Sequence, residues 1–369
     1  MELGETIKKL GFGLMRLPME GDRIDLEQVK RMVDLFMQRG FTYFDTAYVY
    51  HDGHSEEVAR EALVERYPRE SFQLATKLPI WSVKQEGDVQ RIFDEQLARS
   101  GAGYFDFYLL HSLSKDKLPE LDRYHAWEFV QEQKKKGLVK HAGFSFHDTP
   151  EVLEEILEAH PEAEFVQLQI NYIDWDSAGV QSRRCYEVAR KHGKPVVIME
   201  PVKGGSLASM RPEIEEIFRR ADPQASVASW AVRFAASLPG VITVLSGMSN
   251  LEQLRDNTGF MEHFRPLSDG ERAVIGQVVE RLNATPTVPC TGCRYCVPGC
   301  PQGIPIPEIF RVLNHHRVYG HLSESKRRYA EETKTAKASD CIACGQCEGI
   351  CPQHIPIIDA LREAAETLE

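Results

Sequence analysis

The sequence predicts an α/β protein, an eight-stranded parallel (β/α)8 barrel of the TIM type followed by a small, mainly helical domain. Three observations carry that expectation. From Leu10 to about Gly259, short apolar runs alternate with amphipathic helical stretches, the pattern of βα units around a parallel sheet. Those units span close to the roughly 250 residues typical of one barrel, whereas the chain has 369, which leaves room for a second module. No glycine fingerprint follows the first run, so the main signal of an open dinucleotide-binding sheet is missing.

The predicted strands are Leu10–Leu17, Phe41–Thr46, Phe72–Lys77, Phe105–His111, Lys140–Ser145, Phe165–Asn171, Pro195–Met199 and Val241–Ser246. Between them Leu26–Arg39, Ser55–Val64, Asp88–Ser100, Tyr124–Lys136, Pro150–Ala159, Val180–His192 and Ala225–Ser237 carry apolar residues at i, i+3, i+4 spacing. Several of these helices run into a glycine suited to a left-handed cap, as at Gly101. A further helix, Leu267–Leu282, has no strand after it, and Thr285-Pro286-Thr287-Val288-Pro289 reads as a linker. The expected domains are therefore 1–284 and 285–369. Helices in the tail are expected at Ile306–His315, Ser323–Lys334 and Ile357–Leu368.

In a barrel, polar groups at the C-terminal ends of strands face the pocket, because everything deeper is packed core. Here those ends present Asp45 and Tyr50 after the second strand, Lys77 after the third and His111 after the fourth. Such a set can deliver a proton to a carbonyl oxygen while something else delivers hydride. A phenol near pKa ~10 is a weak acid at neutral pH, and a neighbouring ammonium is expected to lower that value. Lys77 would supply the charge, Asp45 would fix Lys77, and His111 would orient or polarise the oxygen. Taken singly, each has an ordinary reading: a cap, a rim aromatic, a solvated lysine, a core histidine.

Taken together, and with Asp45-Thr46-Ala47-x-x-Tyr50 in place, residues from about 8 to 260 resemble the aldo/keto reductase superfamily. The resemblance implies carbonyl reduction, or alcohol oxidation, with NADP or NAD bound without a Rossmann domain. It also implies roles for the later strand ends. Ser145 and Gln167 fall where the family holds the nicotinamide carboxamide, although Phe146 replaces the usual asparagine, and Met199 stands where relatives often stack a tyrosine. Pro201, Val202 and Gly205 resemble the loop beside the pyrophosphate. Ser246, Gly247, Ser249, Gln253 and Asn257 fall in the phosphate and adenine segment, a turn opening a helix. Gln253 replaces an arginine that many relatives place on the 2′-phosphate, so NADP and NAD both stay open. Arg16 replaces a small residue and is expected either to touch cofactor or substrate or to form a rim ion pair.

Eight of the nine cysteines lie in the last 80 residues, as Cys290-x-x-Cys293-x-x-Cys296-x-x-x-Cys300-Pro301 and Cys341-x-x-Cys344-x-x-Cys347-x-x-x-Cys351-Pro352. This spacing is that of two 4Fe-4S clusters in which the fourth cysteine of each run ligates the other cluster. Cys290, Cys293, Cys296 and Cys351 are expected to hold one, and Cys341, Cys344, Cys347 and Cys300 the other. Structural zinc would favour paired C-x-x-C units without the third cysteine and the Cys-Pro ending. The long helical gap between the runs resembles alpha-helical ferredoxins. Cys185 reads as a buried thiol, Lys326-Arg327-Arg328 as a docking patch or a solvated helix face, and His315 and His316 have no spacing partner.

A net charge of −11 argues against nucleic acid as a partner, and the absence of an 18-residue apolar run argues against a membrane. With no signal-type segment at Met1–Lys9, a cytoplasmic location is expected. A hydride carries two electrons and a cluster passes one, and no flavin motif is visible to convert between them. The clusters are thus expected to be structural or to serve a ferredoxin-type redox partner. The alternative is an iron-sulfur electron-transfer protein whose barrel no longer uses nicotinamide, suggested by Phe146, Met199 and Gln253.

Overall fold

The computed structural model describes residues 3–369. Eight parallel strands close into a barrel: β1 (Leu10–Gly13), β2 (Tyr43–Asp45), β3 (Gln73–Leu78), β4 (Phe105–Leu113), β5 (Val139–Phe146), β6 (Phe165–Gln169), β7 (Val196–Met199) and β8 (Val241–Ser246). Each pairs with its sequence neighbour, and β1 closes the ring by pairing with both β2 and β8. The strands are short and almost wholly buried, as expected for a sheet covered on both faces. Tyr43, Ala75, Phe107, Leu109, Phe165, Val197, Ile242 and Leu245 pack into one cluster, so the barrel is filled rather than hollow.

The helices of the barrel are α1 (Leu26–Gln38), α2 (Ser55–Ala59), α3 (Asp88–Ser100), α4 (Leu118–Arg123), α5 (Ala126–Lys135), α6 (Pro150–Ala159) and α7 (Ser182–Lys191). Asp25 starts α1 by accepting the Gln28 N–H, and Gly101 ends α3 at φ 62, a left-handed cap that costs glycine little. Later come α8 (Pro212–Ala221), α9 (Val227–Ala236), α10 (Leu251–Glu262) and α11 (Asp269–Asn283). The tail adds α12 (Ile306–Tyr319), α13 (Leu322–Glu332), α14 (Gln346–Ile350) and α15 (Ile357–Leu368).

Three elements depart locally from the expected spans. The first strand stops at Gly13, because Leu14–Arg16 tightens into a 3-10 turn. The helix expected over Ser55–Val64 changes to π geometry at Arg60–Val64. The helix expected over Tyr124–Lys136 begins at Ala126, after His125 takes φ 51, and a separate helix, Leu118–Arg123, precedes it unread.

Two compact units result. One runs to Gly204 and resumes over Ala228–Arg272; the other holds Gly205–Val227 and Ala273–Glu369. The second unit has its own apolar core, with Ile304, Ile306, Ile309, Phe310, Leu313, Ile357 and Leu361 packed around Cys296 and Cys347. Among the described residues no strand follows Ser246, and no helix is long and apolar enough to cross a membrane.

Candidate active site and candidate metal centre

Parallel pairing brings the predicted rim residues together. Asp45 is the last residue of β2, Lys77 lies next to the end of β3, and Tyr50 opens the turn after β2. His111 follows Leu110 in β4, where the register with β5 shifts before Leu113. Lys77 is wholly buried, and its Nζ donates to Asp45 Oδ1 at 2.6 Å, to the Thr46 carbonyl at 2.7 Å and to Tyr50 Oη at 3.3 Å. The same ammonium lies 4.7 Å from the Tyr50 ring centroid. His111 meets Tyr50 edge-on at 6.0 Å between centroids, and Trp81 lies against its ring at 5.0 Å.

The electrostatics follow from burial and pairing. Desolvation opposes the charge on Lys77, but Asp45 and Tyr50 outweigh it and hold the ammonium above its ordinary pKa. For Tyr50 the sequence expectation fails: burial raises the phenol, Lys77 pulls it down, and the net direction is up. Proximity to a cation was legible; the desolvation that overrides it was not. His111 is driven well below the usual histidine range, first by burial and then by Lys77, His147 and Lys117, so its imidazole is neutral near pH 7. Its Nδ1 is buried without a partner, as is Asp45 Oδ2.

Residues of the expected cofactor groove fall into two groups. Ser145 is buried in β5, and its Oγ accepts the Ser112 N–H at 2.7 Å; Ser112 itself is held at φ 58. Gln167 in β6 donates from Nε2 to Met199 Sδ at 3.4 Å, while its Oε1 is buried and unpartnered. That orphaned acceptor beside a hydroxyl fits a carboxamide, the polar group of a nicotinamide ring. Pro201 is buried and Val202 half-buried after β7, whereas Gly205 opens the second compact unit. Arg16 is half exposed, its guanidinium 3.7 Å from Glu200 as a rim pair, and a Cβ placed on Gly247 would lie 3.2 Å from Arg16 Cδ.

The remaining residues satisfy one another. Asn257 donates to Ser246 Oγ at 2.8 Å in the interior. Gln253 accepts the Ser249 N–H at 2.8 Å, so one donor of that turn is already used.

Sequence reading missed the support beneath Lys77. Glu56 is wholly buried and accepts from Thr76 Oγ1 at 2.6 Å and from Gln96 Nε2 at 3.0 Å, while Gln96 also donates to the Lys77 carbonyl at 3.0 Å. The available signal was a carboxylate on the apolar stripe that continues through Ala59 and Leu63.

In the tail the eight cysteines divide between two cavities. Cys290, Cys293, Cys296 and Cys351 line one, and Cys300, Cys341, Cys344 and Cys347 line the other. Each quartet takes its fourth member from the other run, the crossed set the spacing predicts. Aliphatic side chains, among them Ile306, Ile357 and Leu361, form the remaining walls. Equivalent positions share backbone conformation: Gly292 and Ala343 have φ 71 and 55, Arg294 and Gly345 63 and 75.

The residues present fit a polynuclear cluster better than zinc. A tetrahedral ion with Zn–S of about 2.3 Å would draw its sulfurs to about 3.8 Å. Among the described residues, no three cysteine sulfurs lie within 4.8 Å of one another.

Cys185 is buried and its thiol is pushed up to about 11 by burial, an inert group. Lys326, Arg327 and Arg328 are engaged by Glu369, Glu331 and Glu324, which fits a solvated helix face.

The chain belongs to the aldo/keto reductase family, whose model matches residues 9–280. A 4Fe-4S dicluster domain matches residues 289–355. Among similar proteins is the Bacillus subtilis protein described as uncharacterized oxidoreductase YqkF, 24% identical over 286 residues that cover 68% of this chain and 86% of that one. The holo form of aldo-keto reductase AKR11C1 from Bacillus halodurans has a similar structure, with a TM-score of 0.62 and 24% identity over 75% of this chain and 95% of that one. An aldo-keto reductase from Klebsiella pneumoniae, solved in complex with NADPH, gives 0.60 and 20% over 74% and 91%. At these identities the two structures speak to the fold.

Proposed function

We propose that the chain is an oxidoreductase that reduces a carbonyl, or oxidises the corresponding alcohol, with NADP or NAD in the barrel pocket. The observation that carries this reading is the Lys77 ammonium, wholly buried and joined at once to Asp45 and Tyr50 on the rim. Tyr50 donates the proton to the carbonyl oxygen. Its raised pKa keeps the phenol protonated through the neutral range, which suits reduction. Lys77 then stabilises the phenolate left behind, Asp45 keeps Lys77 charged and in place, and neutral His111 steers the oxygen. The nicotinamide, when bound, supplies the hydride; Ser145 and Gln167 would hold its carboxamide beside Met199. Pro201, Val202, Gly205, Ser246, Gly247, Ser249, Gln253, Asn257 and Arg16 are the proposed remaining contacts. The NADPH in the Klebsiella structure supports this cofactor class.

The reading extends to two 4Fe-4S clusters, on the crossed quartets, in a domain of residues 285–369 after a barrel domain of 1–284. We assign them to structure or to one-electron exchange with a ferredoxin-type partner, in the cytoplasm. A second reading, an electron-transfer protein without nicotinamide, draws on the internal bonds of Gln253 to Ser249 and of Asn257 to Ser246. Anaerobic titration with NADPH and then NADH, following cofactor fluorescence and cluster absorbance, separates the two. Binding is expected; its absence with both cofactors would sink the first reading. In Tyr50→Phe, turnover should fall about 10²–10⁴-fold while cofactor affinity holds.

A further inference from the structure

Outside these sites, the second unit gathers three ligand-type side chains: His315 near the end of α12, His321 in the following turn and Glu324 in the first turn of α13. One donor atom from each lies within 4.8 Å of the others, and no other trio among the described residues does so. We propose that His315, His321 and Glu324 bind a first-row divalent cation of the zinc type, independent of the iron-sulfur cysteines.

The hydrogen bonding at His321 points to the ion. Its Nε2 lies 2.8 Å from the Ser209 carbonyl, which only accepts, so Nε2 carries the hydrogen. In the neutral ring Nδ1 is then a bare lone pair, and it faces Glu324 Oε2 at 3.5 Å. A lone pair against a carboxylate is repulsive unless a cation lies between them. A proton would serve, but a charge-assisted N–H···O bond closes to about 2.7–2.9 Å. The observed separation is close to the roughly 3.3 Å between two ligands each about 2.0–2.1 Å from a tetrahedral ion.

The surroundings orient the ligands as outer-shell partners do. Ser209 fixes the His321 tautomer, and Ser206 Oγ lies 3.0 Å from His315 Nε2. Arg328 donates to Glu324 Oε1 and so fixes the carboxylate plane. Two imidazoles and one carboxylate form the three-ligand set of open zinc sites, with a position left for water. The ion would tie α12 to the start of α13 within this unit, with the loop bearing Ser206 and Ser209 holding the two imidazoles. Arg328, a cation on the same carboxylate, opposes the bound charge and moderates affinity.

The test uses the tag-free chain with its clusters assembled under anaerobic conditions, so that the eight tail cysteines do not compete. Zn2+ is titrated calorimetrically, and Co2+ reports its ligands by visible absorption. One ion per chain beyond the cluster iron is expected, with a nitrogen-and-oxygen cobalt spectrum. His321→Ala and Glu324→Gln should each weaken binding at least about tenfold with iron and sulfide content unchanged. Arg328→Gln should tighten it. Glu324→Gln is isosteric, so it keeps the test decisive if His321→Ala disturbs the fold. Stoichiometric absence of zinc, binding unchanged in Glu324→Gln, or a thiolate cobalt spectrum would each overturn the proposal.

Discussion

The barrel rim and the cysteine unit solve the same problem, gathering reactive groups at one point, in opposite ways. Asp45, Tyr50, Lys77 and His111 are scattered over more than sixty positions and meet because parallel strands set their register. The cysteines meet because loops of fixed length curl around a centre, with left-handed residues at matching places. The scaffold alone assembles the first site, down to a 2.6 Å ion pair beneath packed side chains. The second counts two of its own cysteines among its core: Cys296 and Cys347 are buried in the cluster that holds the unit together. On the proposed reading, preorganisation comes from the fold in one region and from bound clusters in the other.

The sharpest way to break that contrast is to remove a ligand. Cys347→Ser should lower iron to at most about half and leave the unit around α12 and α15 open to protease, because on this reading the cluster supplies part of its core. Iron assay and mass spectrometry of the cleavage products check it. A variant that keeps its iron and its protease resistance would mean that the unit folds without its ligands.

A single charge probes the rim in the same spirit. Lys77→Met strands the Asp45 carboxylate in the interior and should cost the barrel about 3–5 kcal/mol. Removing both charges, as in Asp45→Leu with Lys77→Met, should restore much of it. Thermal melts followed by near-ultraviolet circular dichroism decide; equal losses in the single and double variants would show that the pair supplies net stability.

The comparison also marks what the sequence carried. The strands were legible because short apolar runs end in glycine or polar residues, and the crossed cysteine quartets because ligand spacing is local. Glu56 was hidden: its meaning depends on Thr76 and Gln96, which only the fold brings near. The direction of the Tyr50 shift was hidden for the same reason, since desolvation is a property of the packed barrel and not of the residue. The helix Pro212–Ala221 went unread between the last two strands. His315 and His321 sit on different elements, and spacing alone does not pair them.

The smallest effect tests how far a peripheral ion-pair site follows the rim in being set by its partners. At Glu164 burial acts to raise the carboxyl, but His141, Lys134 and the Ala142 N–H outweigh it and hold the group at about 2. A depressed carboxyl stabilises the fold fully above its unfolded value of about 4.5 and loses that contribution as pH falls toward 2. Glu164→Gln should therefore be less stable than wild type at pH 7, with the gap closing below about pH 4.5. Denaturant melts at both pH values check this; a gap independent of pH would assign the loss to packing.

The crossed arrangement of the two cavities has a consequence for biosynthesis. Each cavity is completed by a cysteine from the other run: Cys351 for the first, Cys300 for the second. A ribosome making this chain releases Cys290, Cys293 and Cys296 seconds before the residue that closes their cavity, at ordinary elongation rates. The second quartet is whole once Cys347 is made and the first only at Cys351, so a chain interrupted between the runs completes neither cavity. Maturation of both cavities in that sense waits on the second cysteine run.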